Sequence, residues 1–415
     1  MTRSAAAYKI NTGVGEPTSM EQRFASIRTF SEQLAAPLSD ADATIQSMDD
    51  ASPAKWHLAH TTWFFETFLL RDHLAGYRHF NDEWPFLFNS YYEAEGPRHA
   101  RPRRGMLSRP SLAEVLDYRR HVDEAMLALL ARDVLWPLIE LGLNHEQQHQ
   151  ELLLTDIKHA LSYNPIGPAY ANAQGKPASN GSASGWHSHP GGVVTIGCGE
   201  TGFAFDNEGP CHQVLLQPFE LAERLVTNRE WEAFIADGGY STPTLWLSDG
   251  WAWVQENAIA SPLYWRDDQR FTLNGWQRRD PDAPVSHISL YEADAYAAWA
   301  GARLPTEFEW EALAVSHDAS VGKQLDEPTA VDPVGSPGLF GDCWQWTRSA
   351  YLPYPRFAPA AGAVGEYNGK FMSGQTVLKG ASCATPRGHS RASYRNFFPP
   401  EKRWQFTGLR LARDV

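Results

Sequence analysis

The segment LWPLIELGLNHEQQHQELLLTDIKHAL, residues 135–161, decides how the first half of this chain is read. Apolar residues recur along it at helical spacing, which predicts a helix from Leu135 to Leu161. Within it stand His145-Glu146-Gln147-Gln148-His149. Histidines four apart share one helix face, so both imidazoles can reach a single metal ion.

Outward from this helix, the same periodicity marks Glu21 to Leu34, Pro53 to Leu74 and Ser111 to Leu130. Ser111 and Ser52 read as N-caps, with Pro53 at the first helical position. Four such segments predict a four-helix bundle over residues 18–163, a scaffold that commonly builds metal sites from facing helices. The connection from Asn81 to Pro110 reads as non-helical and is rich in aromatics and arginines; a loop that long in a compact bundle is usually functional. Residues 164–192, NPIGPAYANAQGKPASNGSASGWHSHPGG, read as a linker. Residues 193–415 read as short strands and turns, their clearest helices being Thr227 to Ala236 and Ser289 to Ala300. The chain is therefore expected to be α+β, a helical domain followed by a mixed one.

Composition narrows the partners. A formal charge of −13, from 36 basic and 49 acidic residues, argues against nucleic acid or an anionic membrane. No stretch approaches the roughly 18 consecutive apolar residues of a membrane span. The opening MTRSAAAYKINTGVGEP lacks the apolar run of a secretory signal, so a cytoplasmic location is expected. Cys198, Cys211, Cys343 and Cys383 form no C-x-x-C pair, which suits reduced thiols. The acidic composition allows a monomer or a weak oligomer.

A catalytic metal needs at least three protein ligands and an open position. His145 to His149 matches the H-E-x-x-H pattern of zinc peptidases, in which the glutamate is the general base. However, position 155 is Thr where the extended pattern needs a third histidine, and Glu151 is too near in sequence to serve as the downstream ligand. Upstream, Trp56-His57-Leu58-Ala59-His60 falls in the second predicted helix. Alone, His60 fits a core residue bonded to a carbonyl; opposite a histidine pair on another helix, it fits a ligand. Three neutral imidazoles suit iron(II), zinc or copper, and ligand type does not choose among them.

Ala59-His60 followed by His145-Glu146-Gln147-Gln148-His149 resembles the DinB-like bundle of the EgtB-type sulfoxide synthases of ergothioneine biosynthesis. Downstream, Ala300-Gly301-Ala302-Arg303-Leu304-Pro305-Thr306-Glu307-Phe308-Glu309-Trp310-Glu311 resembles the signature of the FGE-sulfatase fold, a variant of the C-type lectin fold. So do Gly341 to Thr347, Leu378 to Ser382 and Phe406 to Ala412. The resemblance covers nearly the whole chain. It implies that His60, His145 and His149 hold iron(II), with dioxygen as co-substrate. The reaction implied joins C2 of the hercynine (N-alpha-trimethylhistidine) imidazole to the sulfur of gamma-glutamylcysteine or cysteine, as a sulfoxide. A close relative of these enzymes, the selenoneine synthase SenA, takes a selenosugar instead, which keeps selenoneine synthesis as the alternative. A zinc hydrolase built on His145 and His149 is the remote one, and it leaves the second domain unexplained.

Further roles follow from the same resemblance. Gln148 matches the glutamine that contacts the hercynine imidazole, and Asn396 the asparagine that helps hold this substrate. Phe397 stands where the actinobacterial enzymes carry Trp. Those enzymes draw a proton from one of two tyrosines three apart, but Val364-Gly365-Glu366-Tyr367 lacks the first of them. Tyr91 and Tyr92 resemble a tyrosine pair on the bundle loop of another subgroup and take the role of proton donor. Arg101 and Arg104 fall where the family grips donor carboxylates. Glu146 becomes a supporting, bundle-facing carboxylate.

Overall fold

The computed structural model describes residues 19–171, 185–198 and 202–415. The N-terminal stretch read for a leader and residues 172–184 of the expected linker lie outside these. Four long helices form the first half. Helix α1, Met20–Ala35, starts at a capping box between Ser19 and Gln22. Helix α2, Ala54–Phe65, runs on through a π-helical turn, Glu66–Leu70, and a last short piece, Arg71–His73. Helix α3, Leu112–Leu130, begins at Ser111 as expected, boxed with Glu114. Helix α4, Trp136–Ser162, carries Pro137 in its first turn, where a missing N–H costs nothing.

Two expectations are corrected. Pro53, not Ser52, occupies the cap of α2, because the Ser52 N–H is drawn to Asp156 Oδ2 at 2.8 Å. The 81–110 connection is not free of helix: it holds a turn of α-helix at Trp84–Phe88 and 3-10 turns at Glu93–Glu95 and Arg101–Met106. Pro85 and Pro102 each sit in the opening turn of such a piece, where proline is tolerated.

Helix α2 is the buried spine, with every residue from Ala54 to Phe65 inside. It packs on α3 and α4, and α1 packs on α4. Phe24, Phe64, Phe65, Tyr118 and Leu143 fill the core between them. Gly142 permits the α2–α4 approach, since a Cβ there would lie 2.8 Å from the Phe65 ring.

In the second half, a four-stranded sheet orders Asn396–Phe398, Thr376–Lys379, Trp344–Ala350 and Thr407–Gly408, the last pair parallel. Smaller sheets surround it, one of them setting Phe219–Ala222 between Trp186–His189 and Ala412–Asp414. Helices Asn228–Ala236 and Leu290–Trp299 stand where expected, behind Thr227 and Ser289 caps. Two others were not foreseen, Ser248–Glu256 and Glu307–Ala314. The second begins at a Thr306–Glu309 capping box that is legible within the quoted signature.

Helix α4 is the wall shared by the two halves. Glu151 Oε1 accepts from Trp344 Nε1 at 2.8 Å and Ser382 Oγ at 2.5 Å, while its Oε2 accepts from Thr385 Oγ1 at 2.7 Å. Lys158 Nζ donates to His287 Nε2 at 2.6 Å. A helix buried on both sides must present polar groups outward from the bundle, here to a second domain rather than to water. No helix among the described residues is long and apolar enough to cross a membrane.

Candidate metal centre between the two halves

His60 from α2 and His145 and His149 from α4 converge, with one ring nitrogen from each lying within 4.8 Å of the others. The one-turn spacing on α4 aims its pair at α2, and the packing of α2 on α4 supplies the third ring. His60 Nδ1 is tied to the Phe88 carbonyl at 2.6 Å, which requires an N–H there and leaves Nε2 as the lone-pair atom. His60 Nε2 and both ring nitrogens of His145 are buried without a hydrogen-bond partner among the described residues. Burial, reinforced by the neighbouring imidazoles, holds His60 and His149 well below their ordinary range, and burial takes His145 to about 3. All three are therefore neutral imidazoles near pH 7, able to offer lone pairs. Orphaned buried lone pairs are costly, and a divalent metal would satisfy them. The residues fit such an ion.

Glu146 turns away from this cluster. Its carboxylate accepts from Arg28 Nη1 at 2.7 Å, Arg119 Nη2 at 2.8 Å and Ser31 Oγ at 2.6 Å, inside the bundle. Burial pushes its pKa up, but the two guanidinium groups overcome this and hold it at about 2. A carboxylate saturated by two cations is no peptidase base.

Gln148 projects to the other side of α4. Its Nε2 donates to Tyr394 Oη at 2.6 Å, and its Oε1 accepts from the Tyr367 hydroxyl. Tyr367 also meets the His145 ring edge-on at 5.5 Å and stacks on Phe205. Tyr394 and Phe205 were not foreseen as parts of the site, and Tyr367 was noted only as the remaining member of a tyrosine pair, since only the fold of the second half brings them to α4.

Tyr91 and Tyr92 stack on one another at 4.7 Å, each one ring removed from the histidines. Tyr92 lies against Trp63, which stacks on His60, while Tyr91 lies against Tyr367. Burial raises both phenol pKa values, so both keep their protons. Their loop is held from the second half: Glu366 accepts from the N–H groups of Glu93 and Ala94, each at 3.0 Å.

The two arginines differ. Arg104 is buried, its guanidinium 3.4 Å over the Trp56 ring, and Trp56 in turn stacks on His60 at 4.6 Å. Arg104 donates to Ser52 Oγ at 2.9 Å, and among the described residues it forms no ion pair with a carboxylate. Arg101 is exposed and donates to the Asp50 carbonyl. Asn396 is half-buried, its Oδ1 accepting from the Phe397 N–H at 2.9 Å. Phe397 stacks on Tyr351 at 4.0 Å and neighbours Phe371, which touches Tyr91.

A helical bundle with a largely enclosed three-histidine group, closed by an α+β domain against the helix that carries two of them, defines a two-domain class. Residues 23–153 match the DinB superfamily, and residues 173–329 and 327–415 match the sulfatase-modifying factor enzyme 1-like domain. The hercynine oxygenase of Mycolicibacterium smegmatis is 33% identical, the match covering 91% of this chain and 94% of that protein. Those of Mycolicibacterium thermoresistibile and Mycobacterium tuberculosis are each 32% identical, covering 91% and 93% of this chain and 90% and 100% of theirs. The chain belongs to this EgtB-type family of hercynine oxygenases. Its fold is the DinB-like bundle followed by the lectin-like FGE-sulfatase domain.

Proposed function

We propose that this protein couples hercynine oxidatively at imidazole C2 to the sulfur of an amino-acid thiol, using dioxygen. The single observation that carries the reading is the neutral, inward-facing His60, His145 and His149 group beside the clamped Gln148, in a chain similar throughout to hercynine oxygenases. The bundle, residues 18–163, supplies the metal ligands and residues 193–415 the second wall; the 164–192 segment expected as a linker also contributes the strand Trp186–His189 to the second domain.

These three histidines would hold iron(II), which supplies oxygen activation and favours deprotonation of a bound thiol. The chain's own residues do the rest. Gln148 cannot rotate freely, because Tyr367 fixes its carbonyl and Tyr394 its amide, so it presents one orientation to the substrate imidazole. Asn396 and Phe397 form the wall that takes the trimethylammonio-carboxylate end; a quaternary ammonium has no N–H, so aromatic faces suit it. Tyr91 and Tyr92, kept protonated by burial, hold the proton that oxygen chemistry consumes. Arg104, buried and without an ion-paired carboxylate among the described residues, is suited to the donor's carboxylate, with Arg101 at the rim. That unmatched charge favours a sulfur amino acid over a selenosugar.

The test supplies anaerobically prepared, iron(II)-loaded protein with hercynine, oxygen and one donor at a time: gamma-glutamylcysteine, cysteine, a thiosugar or a selenosugar. The expected product is a sulfoxide, formed with a thiol amino acid and with oxygen uptake. Product from the selenosugar alone would reassign the protein as a selenoneine synthase. Stoichiometric zinc with peptide hydrolysis and no oxygen uptake would overturn the reading.

A further inference from the structure

The three histidines are not supported alike. His60 rests on a backbone carbonyl and His145 on no hydrogen-bond partner among the described residues, but His149 leans on a relay. His149 Nδ1 lies 2.8 Å from Nδ1 of His57, a residue one helical turn before His60 on α2 and 3% exposed. His57 Nε2 lies 3.1 Å from Asp156 Oδ2. Asp156, 5% exposed and two turns beyond His149 on α4, has its remaining capacity taken by the Ser52 N–H at 2.8 Å and by Trp404 Nε1–H at 2.9 Å. Trp404 belongs to the second domain.

Hydrogen-bond bookkeeping fixes the direction of this relay. Two imidazole nitrogens 2.8 Å apart need one N–H and one lone pair between them. If His149 turns Nε2 to a metal, its Nδ1 must carry the hydrogen, and His57 Nδ1 must be bare. The neutral His57 then carries its hydrogen on Nε2, where the Asp156 carboxylate accepts it. Asp156 can play no other part, because both partners on its other contacts, Ser52 N–H and Trp404 Nε1–H, are donors.

We infer that His57, held by Asp156, is a positioning residue that fixes the tautomer and ring orientation of His149 for metal binding. This rests on the reading of His149 as a ligand. It extends the familiar carboxylate–histidine–metal arrangement by one imidazole, and through Trp404 it makes the geometry of the metal site depend on docking of the second domain. Sequence offered no signal for it: His57 is a turn away from a ligand and Asp156 lies far along another helix.

The test measures cobalt(II) affinity and the cobalt absorption spectrum of the full chain, with no turnover involved. Apoprotein melting temperatures serve as the folding control. His57→Phe removes the acceptor and should weaken cobalt binding about 10- to 100-fold and shift the d–d bands. His57→Gln can accept from His149 and donate to Asp156, so it should recover most of the affinity and the native bands. Asp156→Asn must set its amide N–H against the Trp404 Nε1–H or the Ser52 N–H, both donors, and should weaken cobalt binding; nitrogen NMR of the unaltered zinc-loaded protein reads the His57 tautomer directly. Native affinity and bands in His57→Phe overturn the relay while leaving the triad standing. Failure of the unaltered protein to bind cobalt, with His145→Ala behaving the same, removes the triad and the relay together. If His57→Phe does not fold, the tautomer in the unaltered zinc-loaded protein decides: a hydrogen on His57 Nδ1 rejects the relay.

Discussion

Glu146 and Arg119 form an ion pair at 2.8 Å in which the two side chains are 1% and 0% exposed. Arg28 completes the group at 2.7 Å from the other carboxylate oxygen. The middle of an apparent zinc-peptidase motif is thus a charge lock joining α1, α3 and α4. Glu146→Gln leaves two buried guanidinium groups undercompensated and should cost about 3–5 kcal/mol of stability, read by urea denaturation. The folded fraction should keep its metal stoichiometry. Unchanged stability with lost peptide hydrolysis would be the signature of a catalytic base and would reverse this assignment.

Gln148 is clamped by Tyr367 and Tyr394. Gln148→Leu removes the proposed substrate contact and strands two buried hydroxyls. Hercynine binding, measured calorimetrically on anaerobic metal-loaded protein, should weaken about 10-fold or more, the scale of one lost buried hydrogen bond. Tyr394→Phe frees the amide end only and should show a smaller loss. Unaltered affinity in Gln148→Leu would take this residue out of the substrate site.

Glu366 reaches from the second domain to the backbone N–H groups of Glu93 and Ala94, beside Tyr91 and Tyr92. Glu366→Ala should speed amide hydrogen exchange at residues 93 and 94 and lower turnover with hercynine. Metal affinity should stay unchanged, since none of the three histidines touches this carboxylate. Native exchange rates would show that the loop holds itself.

Lys158 is buried against His287, with Tyr264, Asp332, Arg270, Cys343 and Cys383 around it. Burial pushes its ammonium down from 10.5 to about 7, while the neutral His287 ring accepts its hydrogen bond. The sign follows from linkage: a lysine depressed in the folded chain binds more protons when unfolded. Its contribution is fully present above about 10.5 and is lost as pH falls through about 7. The stability of the unaltered protein relative to Lys158→Met should therefore rise from pH 7 to pH 9.5 (a range set by that shift). Denaturation midpoints at several pH values check this, and a gap that does not move with pH would refute it.

What the sequence determined is local. The spacing of His145 and His149, the Ser111 cap, the Thr306 capping box and the change of composition after residue 163 each depend on residues a few positions apart. Helical periodicity and cap chemistry act over that range, so they can be read without a fold. Periodicity and composition gave the domain order, and the histidine pair made His60 a candidate; the resemblance of the motifs named the family and the role of each. Tertiary structure alone decided where side chains of one helix go when several elements pack around it. On α4, neighbours in sequence part company: Glu146 enters the arginine lock, His145 and His149 face α2, and Gln148, Glu151 and Lys158 enter the second domain. Hydrophobic pattern cannot sort these directions, because more than one face of this helix is packed and these polar groups meet different elements. The relay from Trp404 through Asp156 and His57 to His149 is the extreme case, since its four members come from three separate segments that only packing brings within hydrogen-bond reach.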